Sequence, residues 1–240
     1  MRQKMTMPPH TEIVVPDESW ARLVEIHNHA KSIFLLAEEF DSRSNDFIQP
    51  AMELRHGLEH IVRAQAVILG ISDGDDEPNA QYVLHSFDKA IGHEYRAFFD
   101  AADWLSVSIR QRINETLEPY SHECIEAVIT DYYPTLRPRV DRICVEIAAI
   151  RGAKDVVRNT DIDAKVGKSE ETIAEIGTYR KIIDELVSIS ERIQCSVPSL
   201  VDWTRKNRRS TFKGWILGAL IGSTVTAIIT WVFRLGSAKP

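Results

Sequence analysis

Cysteine is scarce in this chain of 240 residues, and its spacing excludes two classes of site. Cys124, Cys144 and Cys195 lie far apart and form no CxxC pair. A structural zinc site needs closely spaced ligands, and a disulfide framework needs paired cysteines in a secreted chain. We therefore interpret the three as reduced, buried residues of a cytoplasmic protein.

Basic residues are also fewer than acidic residues over most of the chain. Seven of the 29 Lys and Arg residues follow Asp202, whereas all 35 Asp and Glu residues lie at or before it. Residues 1–204 therefore carry a formal charge of −13. An acidic surface argues against non-specific binding to a nucleic-acid backbone, so we expect no DNA partner.

Strand patterns and a secretory leader are missing too. Residues 1–16 contain three prolines and no apolar core, so they are predicted to be a disordered N-terminus and not a signal peptide. Beyond them, apolar residues recur at intervals of three and four, which predicts an all-α fold. The predicted helices run from Asp17 to about Glu39, from Asp46 to Gly70, from Leu84 to Pro119, and over 121–133 and 136–158.

These helices predict a cytoplasmic antiparallel bundle over residues 17–158, followed by a polar linker over 159–168. A coiled-coil-like stalk helix is predicted over 169–196, where apolar residues fall at strict three-four spacing, and Ser196 and Pro198 interrupt it. The seam of this stalk consists of Ile176, Tyr179, Ile183, Leu186, Ser190 and Ile193.

The run from Trp215 to Phe233 is apolar and contains no charged residue. At about 1.5 Å per residue it spans roughly 28 Å, close to the hydrocarbon thickness of a bilayer. We therefore predict a single transmembrane anchor over 214–235, with 236–240 as a short tail. Because only this tail has to cross, we expect a tail-anchored, single-pass membrane protein.

A basic juxtamembrane segment, 197–213, precedes the anchor, whereas only Arg234 and Lys239 follow the apolar run. By the positive-inside rule, residues 1–212 stay in the cytoplasm. The basic side chains are expected to bind anionic lipid headgroups, at about 1 kcal/mol per charge near the surface. They are Arg205, Lys206, Arg208, Arg209 and Lys213.

Small residues recur every fourth position along the anchor. Such a face lets two helix backbones approach closely, so it predicts self-association and a homo-oligomer. The face consists of Gly214, Gly218, Gly222, Thr226 and Thr230. Together these features favour an oligomeric membrane-associated effector or interaction module. Another interpretation is a membrane pore formed by the anchors and lined by Ser223, Thr224, Thr226 and Thr230.

The second predicted helix carries the residues most suited to chemistry, in the run ELRHGLEHIVR from Glu53 to Arg63. Arg55, His56 and His60 match an R-x4-H pattern with a polar second residue, which resembles the active-site signature of the HEPN superfamily of helical domains. The resemblance implies a metal-independent ribonuclease that acts on RNA. It implies His60 as the acid-base group and Arg55 as the phosphate-binding partner, with a dimer bringing two such helices together.

Two metal-binding patterns overlap the same residues. His56, Glu59 and His60 form H-x-x-E-H, the pattern of inverted zinc metallopeptidases, but those enzymes resemble large mixed α/β domains and this chain offers no sheet. Glu53 and His56 form ExxH, which needs a second ExxH to build a di-metal bundle, and the sequence has none. We therefore expect no metal site and no cofactor.

A structural interpretation of these residues stands beside the catalytic one. Glu53, His56, His60 and Arg63 form a polar stripe on the second helix. A similar stripe on the third helix consists of His93, Arg96, Asp100 and Asp103. If the two helices pair as an antiparallel hairpin, the stripes form a network of ion pairs and hydrogen bonds, or two solvated faces.

Overall fold

A computed structural model describes residues 13–40, 48–74, 78–158 and 169–236, with side chains described outside 152–158, 169–171 and 209–236. The described residues form α-helices and one π-helical turn and contain no β-strand, which confirms the all-α prediction. The α-helices are α1 (Asp17–Phe40), α2 (Ile48–Ile68), α3 (Asn79–Leu117), α4 (His122–Val128), α5 (Arg137–Arg158) and α6 (Ser169–Gly236), and the π-helical turn is Tyr132–Leu136.

Gly70 ends α2 through its backbone conformation. Its φ of 66° lies in the left-handed region that glycine adopts without a Cβ clash. The amide of Gly70 donates to the Val67 carbonyl at 3.0 Å, and that of Ile71 donates to the Ala66 carbonyl at 2.9 Å. This pair of bonds is a Schellman motif, which satisfies carbonyls at the helix end.

The chain divides into two compact units. Unit 1 consists of Met1–Ile113 and Pro138–Ser190, and unit 2 consists of Asn114–Arg137 and Glu191–Pro240. In unit 1, side chains of α3 contact those of α1, α2, α5 and α6. The contact pairs show that α1 runs parallel to α3, through Trp20–Phe87 and His27–Glu94. The contacts of Glu53 and Gly57 with α3 show that α2 runs antiparallel to it.

The core of unit 1 is the shared apolar side of these helices. Burial of this apolar surface is its main source of stability. Tyr179 packs edge-on against Phe99 at 5.2 Å between ring centroids, and its hydroxyl donates to Asp103. The largest fully buried side chains are Tyr179, Phe87, Phe98, Ile26, Ile33, Ile91, Leu105, Ile109, Ile143, Ile176, Ile183 and Leu186.

The segment predicted as a separate stalk, 169–196, differs from that prediction. Its seam is buried, and Tyr179 contacts Asp103 and Phe99 on α3. The same three-four spacing suits any helix that buries one face, so the sequence pattern does not identify the partner. Through Ser190, this seam is therefore part of unit 1.

The predicted interruption at Ser196 and Pro198 is also absent, because α6 continues through both residues. Proline removes one backbone donor from a helix interior, which weakens the helix without always ending it. The hydroxyl of Ser196 donates to the Arg192 carbonyl at 2.9 Å, a bond compatible with continued helix. The basic segment 197–213 is thus helical.

Unit 2 is held by contacts of α4, and of Asp131 at the start of the π-helical turn, with α6. The Cys124 thiol donates to the Leu200 carbonyl at 3.5 Å, and Arg192 donates to Asp131 at 2.6 Å. Cys124 is buried as expected, but Cys144 is half-buried and Cys195 is exposed, so the prediction of three buried cysteines is wrong for two of them. All three are free thiols.

The apolar run of the predicted anchor lies outside the residues whose side chains are described. Among the described residues, no helix is long and apolar enough to cross a membrane. The small-residue face of 214–230, Arg209 and Lys213 likewise lie outside them. Arg205, Lys206 and Arg208 are described and exposed.

Candidate functional site

The candidate site is a cluster of polar side chains where α2 packs against α3. Glu53, His56 and His60 lie three or four residues apart, so they share one face of α2. That face meets His93 and Arg96 of α3. We call these five residues the histidine-glutamate cluster.

Gly57 lies in the middle of this face and lets the two helices approach. A Cβ at this position would lie 3.4 Å from the Ala90 carbonyl oxygen and 3.5 Å from both the His93 Cβ and the Glu94 Oε1. These are ordinary contact distances, so a methyl group fits here and glycine is not required, although a small residue keeps the two helices close.

Glu53 is the centre of the hydrogen bonding. Its Oε2 accepts from the Nε of Arg96 at 2.8 Å and contacts the Nδ1 of His93 at 2.8 Å, while its Oε1 accepts from Gln49 at 3.3 Å. Burial acts to raise the pKa of Glu53, but the hydrogen bonds from Arg96 and His93 outweigh it and leave the pKa below its ordinary value. The carboxylate is therefore ionised and ties α2 to α3.

The tautomer of His93 follows from these contacts. Its Nδ1 lies 2.8 Å from Oε2 of Glu53 and 2.8 Å from Nη2 of Arg96. An unprotonated Nδ1 would place a lone pair against the carboxylate, which is repulsive, so Nδ1–H donating to Glu53 is favoured. The guanidinium then only approaches Nδ1, and Nε2 keeps its lone pair.

Two further imidazole rings surround His93. The His60 ring stacks on it at 5.2 Å between centroids, and the His56 ring meets it edge-on at 5.4 Å. Burial, aided by the nearby cations Lys89 and Arg63, lowers the pKa of His60 to about 4. His60 is therefore neutral at pH 7, and its ring offers a lone pair in a region of positive potential.

The structure brings only part of the HEPN-like motif together. His56 and His60 are half-buried in the cluster, whereas Arg55 is exposed. On a helix, Arg55 and His60 point about 140° apart, so the predicted phosphate-binding group does not reach the predicted acid-base group within one chain. The guanidinium that does lie in the cluster belongs to Arg96, forty-one residues further along the sequence.

The structure also shows where the residues of the two overlapping metal-binding patterns lie. Glu59 is exposed and pairs with Arg63, so it takes no part in an H-x-x-E-H site. Glu53, His56 and His93 each place one potential ligand atom within 4.8 Å of the others. Helix α3 completes this set with His93, in place of the second ExxH that the sequence lacks.

The predicted pairing of two polar stripes is confirmed for Glu53, His93 and Arg96. Other stripe residues bind elsewhere, because Arg63 pairs with Glu59 and Asp103 pairs with Arg151 at 3.0 Å. The network between α2 and α3 therefore includes fewer residues than the two polar stripes predicted from the sequence.

A second polar contact in the same region has no counterpart in the sequence prediction. Glu94 of α3 is buried, and its Oε1 lies 3.1 Å from the Nδ1 of His27 on α1. Burial raises the pKa of Glu94 despite the opposing effect of His27. Glu94 follows His93 directly, but its partner is 67 residues away, so spacing along the chain carries no signal for this pair.

The opposite side of α2 exposes several apolar side chains, with Arg55 among them. Leu58, Val62 and Leu69, the last just after the helix end, expose 63%, 59% and 57% of their surface, and Ile48 lies on the same side. Exposed apolar side chains at three-four spacing on one helix are typical of an interaction surface. We call these four residues the outer face of α2.

Comparisons with protein-family models, with curated proteins and with solved structures find no match to this chain. The interpretation of the site therefore rests on the geometry and chemistry of its own side chains.

Proposed function

We propose that this chain is a single-pass membrane-associated effector or interaction module, with unit 1 on the cytoplasmic side. The observation that carries the proposal is helix α6, which extends without interruption from buried residues of unit 1 to the apolar run 215–233. This helix includes the whole apolar run, so the predicted anchor is helical.

The charge distribution supports the same orientation. Arg205, Lys206 and Arg208 are exposed on α6, immediately before the apolar run. Exposed cations at this position are available to anionic headgroups, and their excess on the N-terminal side favours a cytoplasmic unit 1.

Extraction tests the membrane part of the proposal. The full chain is expected to stay in the pellet of sodium carbonate-washed membranes, because removing the uncharged, mainly apolar run 215–233 from lipid is costly. A chain that stops after residue 212 is the control, and it should be released. Release of the full chain by high salt alone would mean that α6 only lies on the surface.

Self-association is the second part of the proposal, with another copy of the chain as partner. It rests on the small-residue face of the anchor and on the outer face of α2, both of which a second copy can match with its own. Replacing Gly218 and Gly222 together by Leu should reduce the oligomer in detergent. Leu at Ala219 and Val225, off that face, is the matched control, and equal losses in both variants would exclude the glycine face.

A HEPN-like, metal-independent ribonuclease held at the membrane is the second candidate. It is favoured by the His93 ring, which contacts the His56 and His60 rings and also the guanidinium of Arg96. An imidazole beside a guanidinium suits proton transfer next to a stabilised phosphate.

Cleavage assays separate the two candidates. If the second is right, purified oligomer cleaves RNA in the presence of EDTA, and His60→Ala abolishes this activity. Arg55→Ala should do the same only if a second copy supplies Arg55 to the cluster. Absence of any chelator-resistant cleavage leaves the effector proposal as the sole candidate.

A further inference from the structure

The histidine-glutamate cluster holds the atoms that borderline divalent metals prefer. Glu53 and His56 come from one turn of α2, and His93 comes from α3, so the set is fixed by the packing of two helices. Their potential ligand atoms all lie within 4.8 Å of one another. Imidazole nitrogens with one carboxylate oxygen form the ligand set of many three-residue zinc sites.

We propose that this cluster binds one divalent transition-metal ion, with Zn²⁺ as the best match, through Glu53, His56 and His93. Neighbouring ligands of a tetrahedral zinc ion lie roughly 3.4 Å apart, given bonds of about 2.0–2.2 Å. The separations, all within 4.8 Å, therefore have to shorten by at most about 1.4 Å, which small side-chain rotations can supply. Three protein ligands leave a fourth position open to water or to a ligand.

The contact between His93 and Glu53 shows where the ion belongs. Nδ1 and Oε2 face each other at 2.8 Å, joined by one hydrogen. A metal ion takes the place of that hydrogen, which moves to Nε2 of the same ring. His56, already against the His93 ring, completes the set.

Arg96 competes with the ion for the same atoms. Its Nε donates to Oε2 of Glu53 at 2.8 Å, and its Nη2 lies 2.8 Å from Nδ1 of His93. Its charge also repels a dication. Metal binding and the Arg96 contacts are therefore alternatives, and the site alternates between a guanidinium-held and a metal-held form.

Titration of the purified full chain in detergent tests the proposal directly. The protein is treated with EDTA, freed of the chelator and titrated with Zn²⁺ against a chromophoric chelator. One equivalent of Zn²⁺ is expected to bind. His56→Ala, His93→Ala and Glu53→Gln are each expected to weaken binding about tenfold or more, the size of effect seen when a metal site is disturbed.

Two control variants guard against non-specific binding. His122→Ala removes an exposed histidine of unit 2, and Glu59→Gln removes an exposed carboxylate of the same helix α2. Neither should change affinity. His56→Ala removes only ring contacts, so circular dichroism should show a folded protein even if Glu53→Gln is unstable. Unchanged Zn²⁺ affinity in His56→Ala and His93→Ala, or an equal loss in His122→Ala, overturns the proposal.

Arg96→Gln provides a readout that a purely structural cluster would not give. Because the guanidinium occupies the metal's position, its removal should tighten Zn²⁺ binding several-fold. Replacement of Zn²⁺ by Co²⁺ should also produce visible absorption bands of a tetrahedral site, which are lost in His93→Ala. Weaker Zn²⁺ binding by folded Arg96→Gln contradicts the assigned position of the ion.

Discussion

The two faces of α2 reverse the usual distribution of polarity in a helix. The inner face turns Glu53, His56 and His60 toward α3, whereas the outer face presents Leu58 and Val62 to solvent. Burying polar groups costs free energy unless they are paired, and exposing a Leu side chain forgoes roughly 1.5–3 kcal/mol of burial. Neither arrangement serves stability best, so both faces of this helix are candidate binding surfaces.

The hydrogen bonds of the inner face can be removed by replacing Glu53. Glu53→Ala leaves Arg96 and His93 without their shared acceptor, and unpaired groups of this kind cost about 2–3 kcal/mol. For a chain of this size we expect the melting temperature to fall by about 5–10 °C. Thermal unfolding of the full chain in detergent, followed by circular dichroism, measures it.

Glu59→Ala is the matched control for this change. Glu59 is exposed and pairs with Arg63 on the same helix, so its loss should change the melting temperature little. Similar melting temperatures for the two variants would remove the distinction between the inner face and the solvated surface.

The spacing between α2 and α3 can be tested at Gly57. Gly57→Leu places a side chain where only a methyl group fits, so we expect destabilisation of about 1–3 kcal/mol. Gly57→Ala should be neutral or stabilising by up to about 1 kcal/mol, since alanine favours helix. Ala51→Leu, at an exposed position of α2, is the control. The prediction fails if Gly57→Leu melts at the wild-type temperature.

The outer face should behave in the opposite way. Replacing Leu58 and Val62 together by Gln should change the stability of the chain by less than about 0.5 kcal/mol, because both are exposed. It should reduce cross-linked oligomer in membranes. Val24 and Leu35, exposed on α1, give the control pair when replaced by Gln. Equal oligomer yields from the two double variants would remove the outer face as an interface.

An ion pair away from α2 gives the smallest expected effect. Arg139 of α5 donates to Glu185 of α6 at 2.6 Å, and these hydrogen bonds lower the pKa of Glu185 despite some burial. Its stabilising effect is therefore present above the ordinary carboxyl pKa and is lost as the pH falls through the lowered value.

Glu185→Gln should thus lower the melting temperature at pH 7 by only about 1–3 °C, since exposed ion pairs contribute about 0–1 kcal/mol. The difference from wild type should shrink as the pH is lowered from 7 toward 4. A difference that grows on acidification would contradict the assigned direction of the pKa shift.

Local spacing predicts much of this molecule. The three-four recurrence of apolar residues predicts the long helices, and Gly70 marks the end of α2 because it can adopt positive φ. The shared face of Glu53, His56 and His60, and the divergence of Arg55 from His60, also follow from 3.6 residues per turn. These properties depend on one helix at a time.

Only tertiary packing decides which side chains meet across helices. The pairing of Glu53 with His93, of Glu94 with His27 and of Tyr179 with Asp103 joins residues separated by 40, 67 and 76 positions. The helical period identifies the apolar face of a helix but not the neighbour that covers it. For this reason the sequence predicts a stalk over the seam of α6, whereas in the structure this seam packs on α3. The metal-ligand set arises in the same way, because Gly57 lets α3 bring His93 to a carboxylate and an imidazole that α2 already aligns.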